Sequence, residues 1–157
     1  MSDGNNEQEM QMPAPDPALG RLDRLVGSWD MRGRTLDSDE DNIHGRSHLE
    51  WLPGGFFLQQ RIEMDFAGFV EIQSLELIGH DPETGAFSSL AYSNLFGAPA
   101  PYSWDLRDDV LEISTEASRF RGTFSEDGDA FSGGWRPVPG MEGPENIPYD
   151  IGGTRVT

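Results

Sequence analysis

Three histidines, His44, His48 and His80, are the side chains of this 157-residue chain whose ordinary pKa lies near neutrality. General acid–base chemistry and metal ligation are therefore sought there first. His44 and His48 lie in Ile43-His44-Gly45-Arg46-Ser47-His48-Leu49-Glu50-Trp51, a segment that alternates with period two. Alternation puts both on the polar face beside Arg46 and Glu50. Four residues of strand span roughly 13 Å, too far for two ligands of one ion with bonds of about 2 Å. Both read as solvated surface. His80 ends an apolar run just before the turn residue Asp81. There it either bonds turn backbone or stands at a pocket rim, able to bind a ligand or act as a general base. Nothing supplies it with a nucleophile, so no triad is expected. Tyr92 is the second weak catalytic candidate, and Glu76 joins them if its strand takes the opposite phase.

Other chemistries are excluded by composition. The chain has no cysteine, and its 11 basic residues are all arginine. There is thus no thiolate nucleophile, Zn–Cys site or iron–sulfur cluster, and no Schiff-base or phosphate-loop lysine. Against those 11 stand 28 acidic residues, for a net charge of −17. Such a surface repels phosphate backbones and anionic membranes, so neither nucleic acid nor membrane is an expected partner. The acidic runs Asp37 to Asp41, Asp108-Asp109 and Glu126 to Asp129 lack the register of a calcium loop and read as solvated turns. No metal is expected. Absence of a basic-then-apolar leader and of a long apolar run gives a cytoplasmic expectation.

The elements that must position any site follow from periodicity. Residues 1–15 are polar and without period, and read as a disordered acidic tail. Asp16-Pro17 is a cap-and-first-residue pair. It opens one short amphipathic helix, about 16–26, with Leu19, Leu22, Leu25 and Val26 on its apolar side and Gly27 as its C-cap. After it the period is two. Strands are predicted near 28–35, 43–52, 56–66, 71–80, 86–94, 102–107, 110–114, 118–125, 130–135 and 149–156. Turn chemistry joins them, as in Pro53-Gly54-Gly55 and Asp81-Pro82-Glu83-Thr84-Gly85. Ten strands joined as hairpins, with no helical crossovers, predict an all-β, antiparallel up-and-down barrel over residues 16–157, with a two-sheet sandwich as the alternative.

Placed on that barrel, the apolar phases collect Trp51, Phe56, Leu58, Ile62, Tyr92, Tyr102 and Trp104 on one surface, interleaved with Ser47, Gln60, Gln73 and Asn94. Apolar walls with a few neutral polar groups describe a small-molecule pocket; a core filled by side chains is the alternative. The phases of the 71–80 and 86–94 strands are ambiguous. A flip would bring in Glu76, Ser89 and Ser93 in place of Gln73 and Asn94.

A helix leading into Gly27-Ser28-Trp29 resembles the Gly-x-Trp opening of lipocalins and the wider calycin group. Leu52-Pro53-Gly54-Gly55-Phe56-Phe57-Leu58 and Gly79-His80-Asp81-Pro82-Glu83-Thr84-Gly85 resemble an uncharacterised bacterial lipocalin-like domain family. The likeness spans about residues 18–136 and extends distantly to nitrobindin-type and fatty-acid-binding barrels. It implies a barrel whose Trp29 plugs one end under Arg155, and a ligand in the interior. Nitrobindin-type barrels bind haem through a late histidine. This chain has none after His80 and only Met141 as a poor substitute, so no haem or other cofactor is expected. The resulting expectation is a binding barrel for a small hydrophobic or aromatic molecule, monomeric or homodimeric. The alternative is a cofactor-independent isomerase, cyclase or hydratase in the same barrel.

Overall fold

The computed structural model of the chain describes residues 12–157. Most of the predicted tail lies outside the described residues. Ten strands form one closed barrel: β1 (Gly27–Thr35), β2 (Ile43–Trp51), β3 (Leu58–Phe66), β4 (Val70–His80), β5 (Phe87–Ser93), β6 (Ala100–Arg107), β7 (Val110–Ser114), β8 (Ser118–Phe124), β9 (Ala130–Pro137) and β10 (Tyr149–Arg155). Each pairs antiparallel with the next, and β1 closes on β10 through Trp29↔Arg155 to Thr35↔Tyr149. Among the described residues, closure leaves no strand edge unpaired. No helix among the described residues is long and apolar enough to cross a membrane.

The predicted helix is a 3-10 helix, Pro17–Leu25, which ends at an extended Val26. The reason is visible in its leucines. Leu19, Leu22 and Leu25 recur every third residue and all three are buried, and a helix of three residues per turn puts them in one row. Asp16 caps it by accepting from the Ala18 amide at 2.8 Å. Gly27 is not the cap. It begins β1 with φ +132, and a Cβ there would meet the Arg155 guanidinium at 2.7 Å and the Thr157 carbonyl oxygen at 2.6 Å.

This helix and three arginines seal one end of the barrel. Trp29 is buried beneath them and donates from Nε1 to the Leu25 carbonyl at 3.0 Å. The Arg155 guanidinium lies 4.3 Å from the Trp29 ring centroid. It donates to the carbonyls of Val26, Arg24 (2.7 Å) and Gly128 (3.2 Å), and pairs with Asp129 at 3.0 Å. Arg21 and Arg24 lie over Phe87 and Phe124 in the same way, at 4.8 and 4.5 Å. Guanidinium on an aromatic face is a favourable stack that needs no ammonium.

Strand phase then decides what faces inward. β3 follows its sequence pattern: Leu58, Met64 and Phe66 are buried while Arg61, Glu63 and Asp65 are exposed. β4 and β5 take the opposite phase to the one first read from their large apolar residues. Ile72, Ser74, Glu76 and Ile78 point inward on β4, and Phe87, Ser89 and Ala91 on β5. Leu75, Leu77, Leu90 and Tyr92 lie on the outer surface instead, paired across the two strands as Leu75↔Tyr92 and Leu77↔Leu90.

Candidate functional site

Inside the barrel a cavity of about 260 Å3 runs from Leu25 and Trp29 at the sealed end to Leu95 and Phe96 at the other. Its wall is mostly apolar, with Leu49, Ile62, Met64, Phe120 and Trp135 among its residues. The polar groups on it are few: Ser47, Gln60, Ser74, Glu76, Ser93 and the hydroxyls of Tyr102 and Tyr149. Among the described residues the wall holds one carboxylate and no basic side chain.

That carboxylate is the centre of the interior's polar geometry. Glu76 is 7% exposed, and Ala91 of β5 and Gln60 of β3 sit opposite it in the sheet. The buried Ser89 hydroxyl donates to its Oε2, and the Trp104 indole donates to the same oxygen at 3.1 Å and to Ser89 Oγ at 2.9 Å. Oε1 receives no hydrogen bond from the described residues. Burial raises the Glu76 pKa above the ordinary carboxylate value, and the two donors oppose that rise. Burial also raises the pKa of Tyr102, with the Glu76 charge adding to it. Tyr149 is raised in turn, by burial first and then by Tyr102.

Ser47 supplies a polar group without a protein partner among the described residues. It is 4% exposed and lines the cavity, and among the described residues its hydroxyl is the buried side-chain polar atom with no hydrogen bond. A buried hydroxyl left unpaired costs about 1–3 kcal/mol, so the cavity wall is underused by the protein itself.

The residues singled out from sequence divide into three groups. Gln60, Ile62, Tyr102 and Trp104 line the cavity. Trp51 and Leu58 have the expected inward phase but sit at the sealed end, away from the cavity wall. Leu58 is fully buried, and Trp51 donates to Asp23 of the 3-10 helix at 2.8 Å. Phe56, Tyr92 and Asn94 do not face inward. Phe56 is 37% exposed in the turn before β3, which starts two residues later than predicted. Tyr92 is 49% exposed on the outer sheet. Asn94 lies just past β5, outside, accepting from the Gln73 amide at 2.8 Å and donating to the Glu71 carbonyl at 2.9 Å. His80 is also remote from the cavity; its Nδ1 is 3.6 Å from Asp16 and its ring meets Phe87 edge-on. His44 is exposed, and His48 shares a hydrogen bond with Ser28 at 2.7 Å.

Sequence reasoning ranked Glu76, Ser89 and Ser93 behind their neighbours and missed Ser47 as an unpaired group. The connection between β3 and β4 held the missing signal. Only residues 67–69 separate the paired Phe66 and Val70. With Phe66 inward, a loop that short fixes Val70, Ile72, Ser74, Glu76 and Ile78 inward too.

No curated protein matches the chain. Among solved structures, a de novo designed fluorescence-activating β-barrel is similar at 12% identity and a TM-score of 0.44, over 83% of this chain and 93% of that one. Rv2717c from M. tuberculosis is similar at 16% identity and a TM-score of 0.47, over 91% and 99%. Residues 14–130 match the model of the family described as Protein of unknown function (DUF1579), and the chain belongs to that family.

Proposed function

We propose that this barrel binds a small, mostly apolar or aromatic molecule in its interior. The observation that carries the reading is the cavity itself: an apolar space of about 260 Å3 into which a buried, unpartnered Ser47 hydroxyl and one face of Glu76 project. A filled core would leave neither. Tyr102, Trp104 and Trp135 provide stacking surface, and Gln60, Ser74 and Ser93 provide orienting hydrogen bonds. The Trp29–Arg155 stack at the sealed end supports placing the barrel with the lipocalin-like, calycin-type containers. Within that reading the protein works in the cytoplasm, as a monomer or homodimer.

Three of the four tryptophans, Trp29, Trp104 and Trp135, line the cavity. Tryptophan fluorescence is therefore the direct test. Titration with a panel of apolar and aromatic molecules is expected to give saturable quenching by some of them. Non-saturable responses throughout the panel would sink the proposal.

A second reading, cofactor-independent catalysis, is favoured by one observation: Glu76 is a buried acid of raised pKa beside Tyr102, on the wall of the same cavity. Such a group suits general acid–base work. In this reading Glu76 takes the role first considered for His80 and Tyr92. Turnover of an isomerase-type substrate that survives Glu76→Gln would remove it.

A further inference from the structure

Resting on the binding reading above, the charge inventory of the cavity narrows the ligand. We infer that the ligand carries one protonated amine or amidine, whose N–H group bonds Glu76 Oε1 while its apolar body lies against Trp104, Tyr102 and Phe120.

Four observations support this. First, Glu76 stands in the wall without a countercharge. The chain has no lysine, and the arginines at the sealed end are engaged with carbonyls, Asp109, Asp129 and ring faces on the far side of Trp29 and Phe124. A carboxylate taken out of water without a cation is costly, and a cationic ligand removes that cost. Second, both protein donors converge on Oε2. They hold the side chain in one orientation and favour its ionised form, and they leave Oε1 for something that enters the cavity. Third, Tyr102, Trp104 and Phe120 line the same cavity as Glu76, and aromatic faces attract organic cations in a desolvated site. Fourth, a net charge of −17 concentrates cations around the molecule and repels anions.

The groups facing Glu76 from the neighbouring strands are Gln60 on β3, Ser89 and Ala91 on β5, and Tyr102 and Trp104 on β6. Tyr102 is the titratable one, and Tyr149 on β10 is coupled to it. Neither tyrosine supplies positive charge. When Glu76 starts as the carboxylic acid, binding of the ammonium form converts it to carboxylate and its proton passes to the buffer. Binding then strengthens as pH rises through the Glu76 pKa, until the amine itself deprotonates.

Calorimetric titration of the full chain with 2-phenylethylamine, 2-phenylethanol and phenylacetate tests this. The amine is expected to bind at least about tenfold more tightly than the alcohol, with phenylacetate weakest. Below the Glu76 pKa, proton release should appear as a dependence of the binding heat on buffer ionisation enthalpy. Glu76→Gln keeps acceptor and shape for Ser89 and Trp104, and is expected to erase the preference for amine over alcohol. Alcohol bound as well as amine, or amine preference retained in Glu76→Gln, would overturn the cationic ligand and leave the binding reading standing. Failure of all three probes overturns the inference, and the quenching panel then decides whether the binding reading falls with it.

Discussion

Arg155 and Trp29 are direct cross-strand partners between the last strand and the first, and the guanidinium of one covers the ring of the other at 4.3 Å. The contact joins barrel closure to the sealing of one end. Arg155 also saturates carbonyls of Arg24, Val26 and Gly128, which belong to the helix end and to a distant turn. Arg155→Ala is therefore expected to cost about 3 kcal/mol, from lost charge-assisted hydrogen bonds and the lost stack. Arg155→Lys should recover less than half, because an ammonium cannot stack and reach three carbonyls together. Urea melts of the two variants check this, and equal stability of Lys and Arg would refute it.

Glu76 makes stability depend on pH in a definite direction. Its folded-state pKa is raised by burial, so the folded chain holds the proton more tightly than the unfolded one. That contribution is complete below the unfolded value of 4.5 and is lost as pH rises through the folded value. Each tenfold difference in proton affinity is worth about 1.4 kcal/mol. Glu76→Gln should gain stability relative to the natural chain between pH 4 and pH 8. Denaturant melts across that range should show the two curves diverging; parallel curves would count against a buried, uncompensated acid.

At Gly133 the neighbouring backbone leaves no room for a side chain. A Cβ there would stand 2.5 Å from the Gly122 Cα and closer still to the Arg121 carbonyl oxygen, both backbone. Gly133→Ala is expected to cost more than about 2 kcal/mol, since backbone cannot step aside as a side chain can. Gly97 has no atom within 4 Å of such a Cβ, and Gly97→Ala should be neutral within about 0.5 kcal/mol. Similar losses at both positions would show that the crowding is not what limits Gly133.

The reversed phase of β4 and β5 gives a paired test of the cavity. Ala91 is buried on its wall and Tyr92 is on the outside. Ala91→Leu should weaken any ligand found in the quenching panel by about tenfold or more, a change of about 1.4 kcal/mol. Tyr92→Ala, Asn94→Ala and Phe56→Ala should leave it unchanged. A large effect at Tyr92 would place the ligand outside the barrel.

These residues also show why the sequence was legible in some strands and not in others. On β3, apolar and charged residues alternate, so Gln60 and Ile62 were placed inward by pattern alone, and closure followed from ten hairpin-linked strands. On β5 the order is inverted. Ser89 and Ala91 face inward while Leu90 and Tyr92 face out, because the interior at this height is occupied by the Trp104 indole and Glu76 and has room only for small neighbours. A rule that sends large apolar groups inward fails there, and the period of two turns one misplacement into a misplaced face. The unpaired state of Ser47 was not legible at all, since it depends on which atoms surround a hydroxyl after closure.

The sealed end has a kinetic meaning. With Trp29, the 3-10 helix and Arg155 across one opening, a ligand bound as proposed would pass Leu95 and Phe96, beside the segment that Asn146 ties to Ala117 and Met141. A container with a single mouth has one bottleneck for filling and emptying. Substitutions confined to that mouth then scale association and dissociation rates by the same factor and leave the equilibrium constant where it was.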